Sequence, residues 1–147
     1  MSKIRLILTT ASGVIAATTA LLGALRDNPQ ISESIDGAVA KLKEATNSEN
    51  PKLRFEAKLN AIDVAAEAVE ETFPQAVEPN GWRRQAQALR MRGELAWNAN
   101  SGKARRRAMK ALNAETAEVL ASVNERLMQF QATPTEVTDG PTAPSGS

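Results

Sequence analysis

The chain has no cysteine, no histidine and no tyrosine, and only three phenylalanines and two tryptophans among its 147 residues. Each absence removes a class of chemistry. Without cysteine there is neither a disulfide framework nor a thiolate nucleophile. Without histidine there is no imidazole base, and the ligand sets that most zinc and iron sites use cannot be assembled. With so few aromatics, a core must be built from Ala, Leu, Ile and Val, which favours thin, alanine-rich helix seams. A large net charge is also missing, since the formal charge is only +1. That near-balance conceals segregation: residues 1–26 carry +3, 27–79 carry −6, 80–110 carry +8 and 111–147 carry −4. Charge blocked in this way can steer one helix onto another, or the whole chain onto a partner.

The longest stretch without charge runs from Leu6 to Leu25, between Lys3 and Arg5 on one side and Arg26 on the other. As a helix rising about 1.5 Å per residue it would reach roughly 30 Å, the thickness of a bilayer's hydrocarbon core. Small residues at Gly13/Ala17, Ala16/Ala20 and Ala20/Ala24 have the spacing that lets two helices approach closely in lipid. A cleaved signal peptide fits less well, because no Ala-x-Ala site closes the run. A buried helix of a soluble bundle is the other competitor, against which stands the lack of any charged face. The run is therefore read as a membrane-anchor helix over residues 1–26, single-pass. The later part is placed on the cytoplasmic side because it holds the dense arginine clusters.

Beyond the run, the sequence reads as helices throughout. Asn28-Pro29 and Asn50-Pro51 each pair a capping residue with proline at the first helical position. Ile31, Ile35, Val39 and Leu42 recur at helical spacing after the first of them. After the second, Phe55, Leu59, Ile62, Ala66, Val69 and Phe73 keep to one face, flanked by Glu56, Asp63, Glu67 and Glu70. Pro74 ends that helix, and Gln75 to Gly81 reads as a connection. Trp82 to Trp97 forms a further helix with both tryptophans on its apolar stripe, and Asn98 to Gly102 reads as a turn. A last helix runs from Lys103 to Gln131 with a seam of Met109, Leu112, Thr116, Val119, Val123, Leu127 and Phe130. From residue 132 to 147 the chain has Pro, Gly, Ser and Thr and almost nothing to bury, which reads as a disordered tail.

The expected fold is thus all-α. It comprises an apolar, transmembrane first helix over 1–26, about four amphipathic helices in a hairpin or small bundle over 27–131, and the tail over 132–147.

Nine cations carry the sharpest local signal: Arg83, Arg84, Arg90 and Arg92, then Lys103, Arg105, Arg106, Arg107 and Lys110. Together they would form a basic face able to contact phosphate or anionic lipid. The competing reading pairs them within the chain with the acidic flank Glu56, Asp63, Glu67 and Glu70. Trp82 and Trp97 read as core. The carboxylates around Glu70-Glu71 lack the His that a di-metal bundle site uses, and Ser101-Gly102-Lys103 lacks the earlier glycine and the strand of a phosphate loop.

No catalytic set and no cofactor or metal site is expected. The sequence alone points to a non-enzymatic, membrane-anchored helical scaffold or interaction protein. Its expected partners are the membrane through Leu6 to Leu25, anionic lipid, and a protein partner or a second copy. The alternative is a soluble helical protein that binds nucleic acid through the arginine-rich face of residues 83–110, with the first helix joining the core.

Overall fold

The computed structural model describes the backbone of residues 11–146 and the side chains of residues 13–132. Among the described residues the chain forms five α-helices and no strand: α1 (Ala11–Gly23), α2 (Pro29–Thr46), α3 (Pro51–Thr72), α4 (Glu78–Ala99) and α5 (Gly102–Gly146).

Two of the helix starts are where the cap-plus-proline pairs place them. Asn28 accepts a hydrogen bond from the Gln30 N–H and Asn50 from the Lys52 N–H, each with proline in the first turn. The side-chain oxygen thereby satisfies one of the donors that a helix N-terminus leaves open. α4 starts earlier than expected, at Glu78 inside the stretch read as a connection, with no side-chain cap and with Pro79 in its first turn. Proline is tolerated there because its missing N–H would have no partner anyway. Between α4 and α5 the chain reverses at Asn100 and Ser101, and Gly102 takes φ +55, a left-handed conformation that a residue with a β-carbon adopts only at a cost.

The bundle is organised around α3, which touches each of the other four helices. Eleven of its residues are buried, among them Phe55, Leu59, Ile62 and Val69 and the alanines 57, 61, 65, 66 and 68. A helix covered on most of its circumference needs apolar side chains on most of it, and alanine lets several neighbours approach at once. α2 contributes Ile31, Ile35, Ala38 and Leu42, α4 contributes Trp82, Ala86 and Leu89, and α5 contributes Met109, Leu112, Leu120, Val123 and Leu127.

α1 corrects the expectation of a membrane anchor. Among the described residues no helix is long and apolar enough to cross a membrane. The part of the run from Leu6 to Thr10 lies outside the described residues. The rest packs on α5, α2 and α3, with Val14, Thr18, Leu22 and Leu25 all buried at helical spacing. Its outward face is Ala16, Ala20, Gly23 and Ala24. That face is why the run resembles an anchor: an outward surface of alanine and glycine carries no charge, yet leaves little apolar area uncovered. With the described segment in the bundle, single-pass localisation and the sidedness assigned to the C-terminal part lose their basis.

α5 is fixed to the bundle as far as its described side chains reach. The Phe130 ring stacks on Phe73 at 4.9 Å between centroids, and Gln131 Nε2 donates to the Leu21 carbonyl at 3.0 Å. Of the tail expected over 132–147, residues 132–146 fall within the last stretch of this helix, while residue 147 and the side chains beyond 132 lie outside the described residues.

Candidate anion-binding cleft

The nine cations singled out in the sequence divide into two groups. Three of the four on α4 face acids. Arg83 makes a two-pronged contact with Glu70 on α3, both distances 2.7 Å, and Arg92 does the same with Glu115 on α5 at 2.7 and 2.8 Å. Arg90 reaches Asp63 on α3 at 3.0 Å. Two of these pairings also move the ionisation of both partners. The hydrogen bonds from Arg83 hold the Glu70 carboxyl below its usual range, those from Arg92 do so for Glu115, and both guanidiniums are raised in return. Glu70 and Asp63 are the mates that the acidic flank of α3 suggested, whereas Glu115 is a third that only the packing of α4 on α5 reveals. Arg84 is exposed on α4 and turns back toward the Asn80 carbonyl.

The cations at the start of α5 behave differently. Lys103 and Arg107 stand exposed on the outside of its first turns. Arg105, Arg106 and Lys110 line a cleft of about 620 Å³ between α5 and the first turns of α3, together with Arg54 and Lys58 from α3. The cleft therefore gathers five cations, and Glu49 is the one carboxylate in its lining. Among the described residues none of the five is in an ion pair. Pro51 and Gly102 also border it, so the first turns of two long helices add their positive dipole ends to the same space. Apart from Asn113, the remaining wall is apolar, made of Trp97, Ala114 and Ala117.

Several contacts hold this arrangement in place. Arg54 Nε donates to the Ser48 carbonyl at 2.7 Å and Arg105 Nε to the Asn100 carbonyl at 3.0 Å, which tethers both guanidiniums without neutralising them. Arg105 also lies over the Trp97 ring, 4.3 Å from its centroid, and the Lys52 ammonium approaches the same ring at 5.1 Å. Trp97 is thus only partly buried and serves as a seat for cations, while Trp82 is core as expected.

Lys58 is the residue at the heart of the cleft. It is only 5% exposed, and its ammonium donates to Asn113 Oδ1 at 2.7 Å. The Asn113 amide is oriented by donating its own N–H groups to the Pro51 carbonyl at 3.0 Å and the Met109 carbonyl at 3.1 Å, which leaves its oxygen facing the lysine. A buried ammonium with one neutral acceptor and no carboxylate is costly. Accordingly the Lys58 pKa falls from 10.5 to about 8, first through burial and then through repulsion by Arg54.

Lys58, Arg54, Lys52 and Asn113 are functional candidates that the sequence pattern did not single out. One signal was present: Lys58 follows Phe55 by three and precedes Ile62 by four, so it interrupts the apolar seam of α3 with a charge. What surrounds that charge depended on where α5 lands. Among the described residues no group of acids could hold a metal ion. No protein-family model, curated protein or solved structure matches the chain.

Proposed function

We propose that this chain is a non-enzymatic helical binding module whose partner is nucleic acid, taken up through its phosphates at the cleft between α3 and α5. The observation that carries this reading is the contrast between two sets of arginines. On α4 three of the four meet carboxylates of the chain itself, whereas Arg54, Arg105, Arg106, Lys58 and Lys110 share one space and, among the described residues, none of them is paired with a carboxylate. Like charges held together repel, and an external polyanion relieves that repulsion while releasing its own counterions. The scaffold reading does not carry over in its original form, because its anchor is a packed helix of the bundle. The absence of His and Cys supports the non-enzymatic part of the proposal.

The test is fluorescence anisotropy of a labelled oligonucleotide titrated with the protein across a range of salt concentration. Neutralising about four duplex phosphates at a slope of roughly 0.9 each should make log K fall with log salt by about 3 to 4. Arg106→Ala with Lys110→Ala should flatten that dependence. Absence of binding at low salt removes the proposal.

A further inference from the structure

The cleft is deeper and more specific than a phosphate backbone alone requires. A strand lying across a surface needs exposed cations, and Arg106, Lys103 and Arg107 supply them. It does not need a lysine only 5% exposed, its ammonium oriented by a fixed asparagine. Nor does it need an apolar wall beside the charge. We infer that the floor of the cleft is a subsite for one terminal phosphate group, a phosphomonoester, received by Lys58, Arg54, Arg106 and Lys110, with the attached sugar and base against Trp97, Pro51, Ala114 and Ala117.

Three features favour that ligand. A chain-internal phosphodiester has strand on both sides and carries one charge. A terminal monoester can enter a pocket end-on, and carries close to two charges with three acceptor oxygens. Five cations from two helices match the second better than the first. A carboxylate is satisfied by a single guanidinium fork, so it would leave most of these donors unused. The volume of about 620 Å³ exceeds what a phosphate fills and falls in the ordinary range of small-ligand sites, which leaves room for the group to which the phosphate is bonded.

Lys58 supplies the floor. Its ammonium has three donors, one of which is taken by Asn113. An oxyanion in the cleft gives the others acceptors and supplies the paired counter-charge that, among the described residues, no carboxylate gives Lys58. The identification of the ligand as the end of a nucleic acid rests on the function proposed above. The phosphate subsite itself does not.

The experiment compares two labelled single-stranded oligonucleotides of one sequence, one ending in a phosphate and one in a hydroxyl, at fixed ionic strength. The phosphorylated strand should bind about tenfold more tightly, the size of one strong contact to a charged group. Lys58→Met should bring the two strands to within about twofold of each other, the ratio a contact worth a few tenths of a kcal/mol would leave. Arg106→Ala with Lys110→Ala, both exposed, should reduce the ratio in a protein whose fold is not at risk. Equal affinities for the two strands in the wild type would overturn the terminal-phosphate subsite while leaving polyanion binding intact. If neither strand binds at low salt, the nucleic-acid reading fails, and a titration with inorganic phosphate and with ribose phosphate, observed at the Lys58 Nζ resonance, decides the subsite alone. A shift with phosphate but not with equal chloride retains it as a site for a free phosphomonoester, and no shift removes it.

Discussion

Thr18 on α1 and Asn124 on α5 stand 106 positions apart in the sequence and meet inside the core, both fully buried. Asn124 Nδ2 donates to Thr18 Oγ1 at 2.9 Å and to the Val14 carbonyl at 3.2 Å, and the Thr18 hydroxyl donates to the same carbonyl at 2.8 Å. The pair fixes the register of α1 on α5, because sliding either helix by a turn would leave buried polar atoms without partners.

Thr18→Val should therefore destabilise the fold by about 1–3 kcal/mol, the cost of stranding part of the Asn124 amide in the core. Thr18→Val combined with Asn124→Leu should recover part of that loss, since two apolar side chains need no partners. Urea unfolding of the single and double variants measures the coupling. A neutral Thr18→Val would mean that α1 is not docked on α5 in solution.

Gly93 on α4 faces the Phe55 ring of α3, and a β-carbon built on Gly93 would lie 2.8 Å from Phe55 Cζ and closer still to Cε2. Gly→Ala inside a helix ordinarily stabilises by about 1 kcal/mol. Here the sign should reverse, because overpacking a filled site costs about 1–3 kcal/mol. Gly93→Ala should lower the thermal midpoint, and Phe55→Leu in the same chain should relieve it, so that the two changes are markedly non-additive. A raised midpoint for Gly93→Ala alone would contradict the close approach of α3 and α4.

Local features of this fold were legible in the sequence and pairings between distant segments were not. Asn28-Pro29 and Asn50-Pro51 mark helix starts because a cap acts within three residues. The seam of Phe55, Leu59, Ile62, Ala66 and Val69 is visible because helical periodicity is local as well, and all five are buried. The run from Leu6 to Leu25 misled because apolar side chains are equally content with lipid or with other helices as cover, so hydrophobicity alone does not distinguish the two. For the basic cleft, the α5 half was visible as Lys103 to Lys110. Its α3 half, Arg54 and Lys58, was spaced too widely to read as a cluster and lay within the 27–79 block, whose net charge is −6. The match of Arg92 with Glu115 needed the topology, since nothing in either local pattern points to the other.

Lys58 should make stability depend on pH on the alkaline side. Its pKa is about 8 in the folded chain against 10.5 as the ordinary value, so between those limits the unfolded chain binds more protons. Stability then rises with pH across that window, by an amount on the order of 3 kcal/mol when complete. Below about pH 8 the lysine is protonated in both states and its contribution is constant and unfavourable. Other groups titrate in the same range, so the measurement is the difference between wild type and Lys58→Met in urea unfolding. That difference should shift in favour of the wild type between pH 8 and pH 10.5. A difference independent of pH would mean that the ammonium is solvated and not enclosed.

The division of the arginines yields a test with controls that hold net charge constant. Replacing Arg83 and Glu70 together by glutamine, or Arg92 and Glu115 together, removes one positive and one negative charge from an exposed pair and leaves the cleft untouched. Exposed pairs of this kind contribute little to stability. If the cleft is where phosphate is met, both double variants should bind an oligonucleotide with the salt dependence of the wild type. Arg106→Gln with Lys110→Gln should instead lower the slope of log K against log salt by about 1 to 2, roughly one unit for each phosphate that is no longer neutralised. The acid-paired arginines already have their counter-charge, so an incoming phosphate would have to displace a carboxylate held by two hydrogen bonds before gaining anything. Equal slopes for all three variants would move the binding surface away from the cleft, and a reduced slope confined to the α4 pairs would place it on the face that the chain's own acids now occupy.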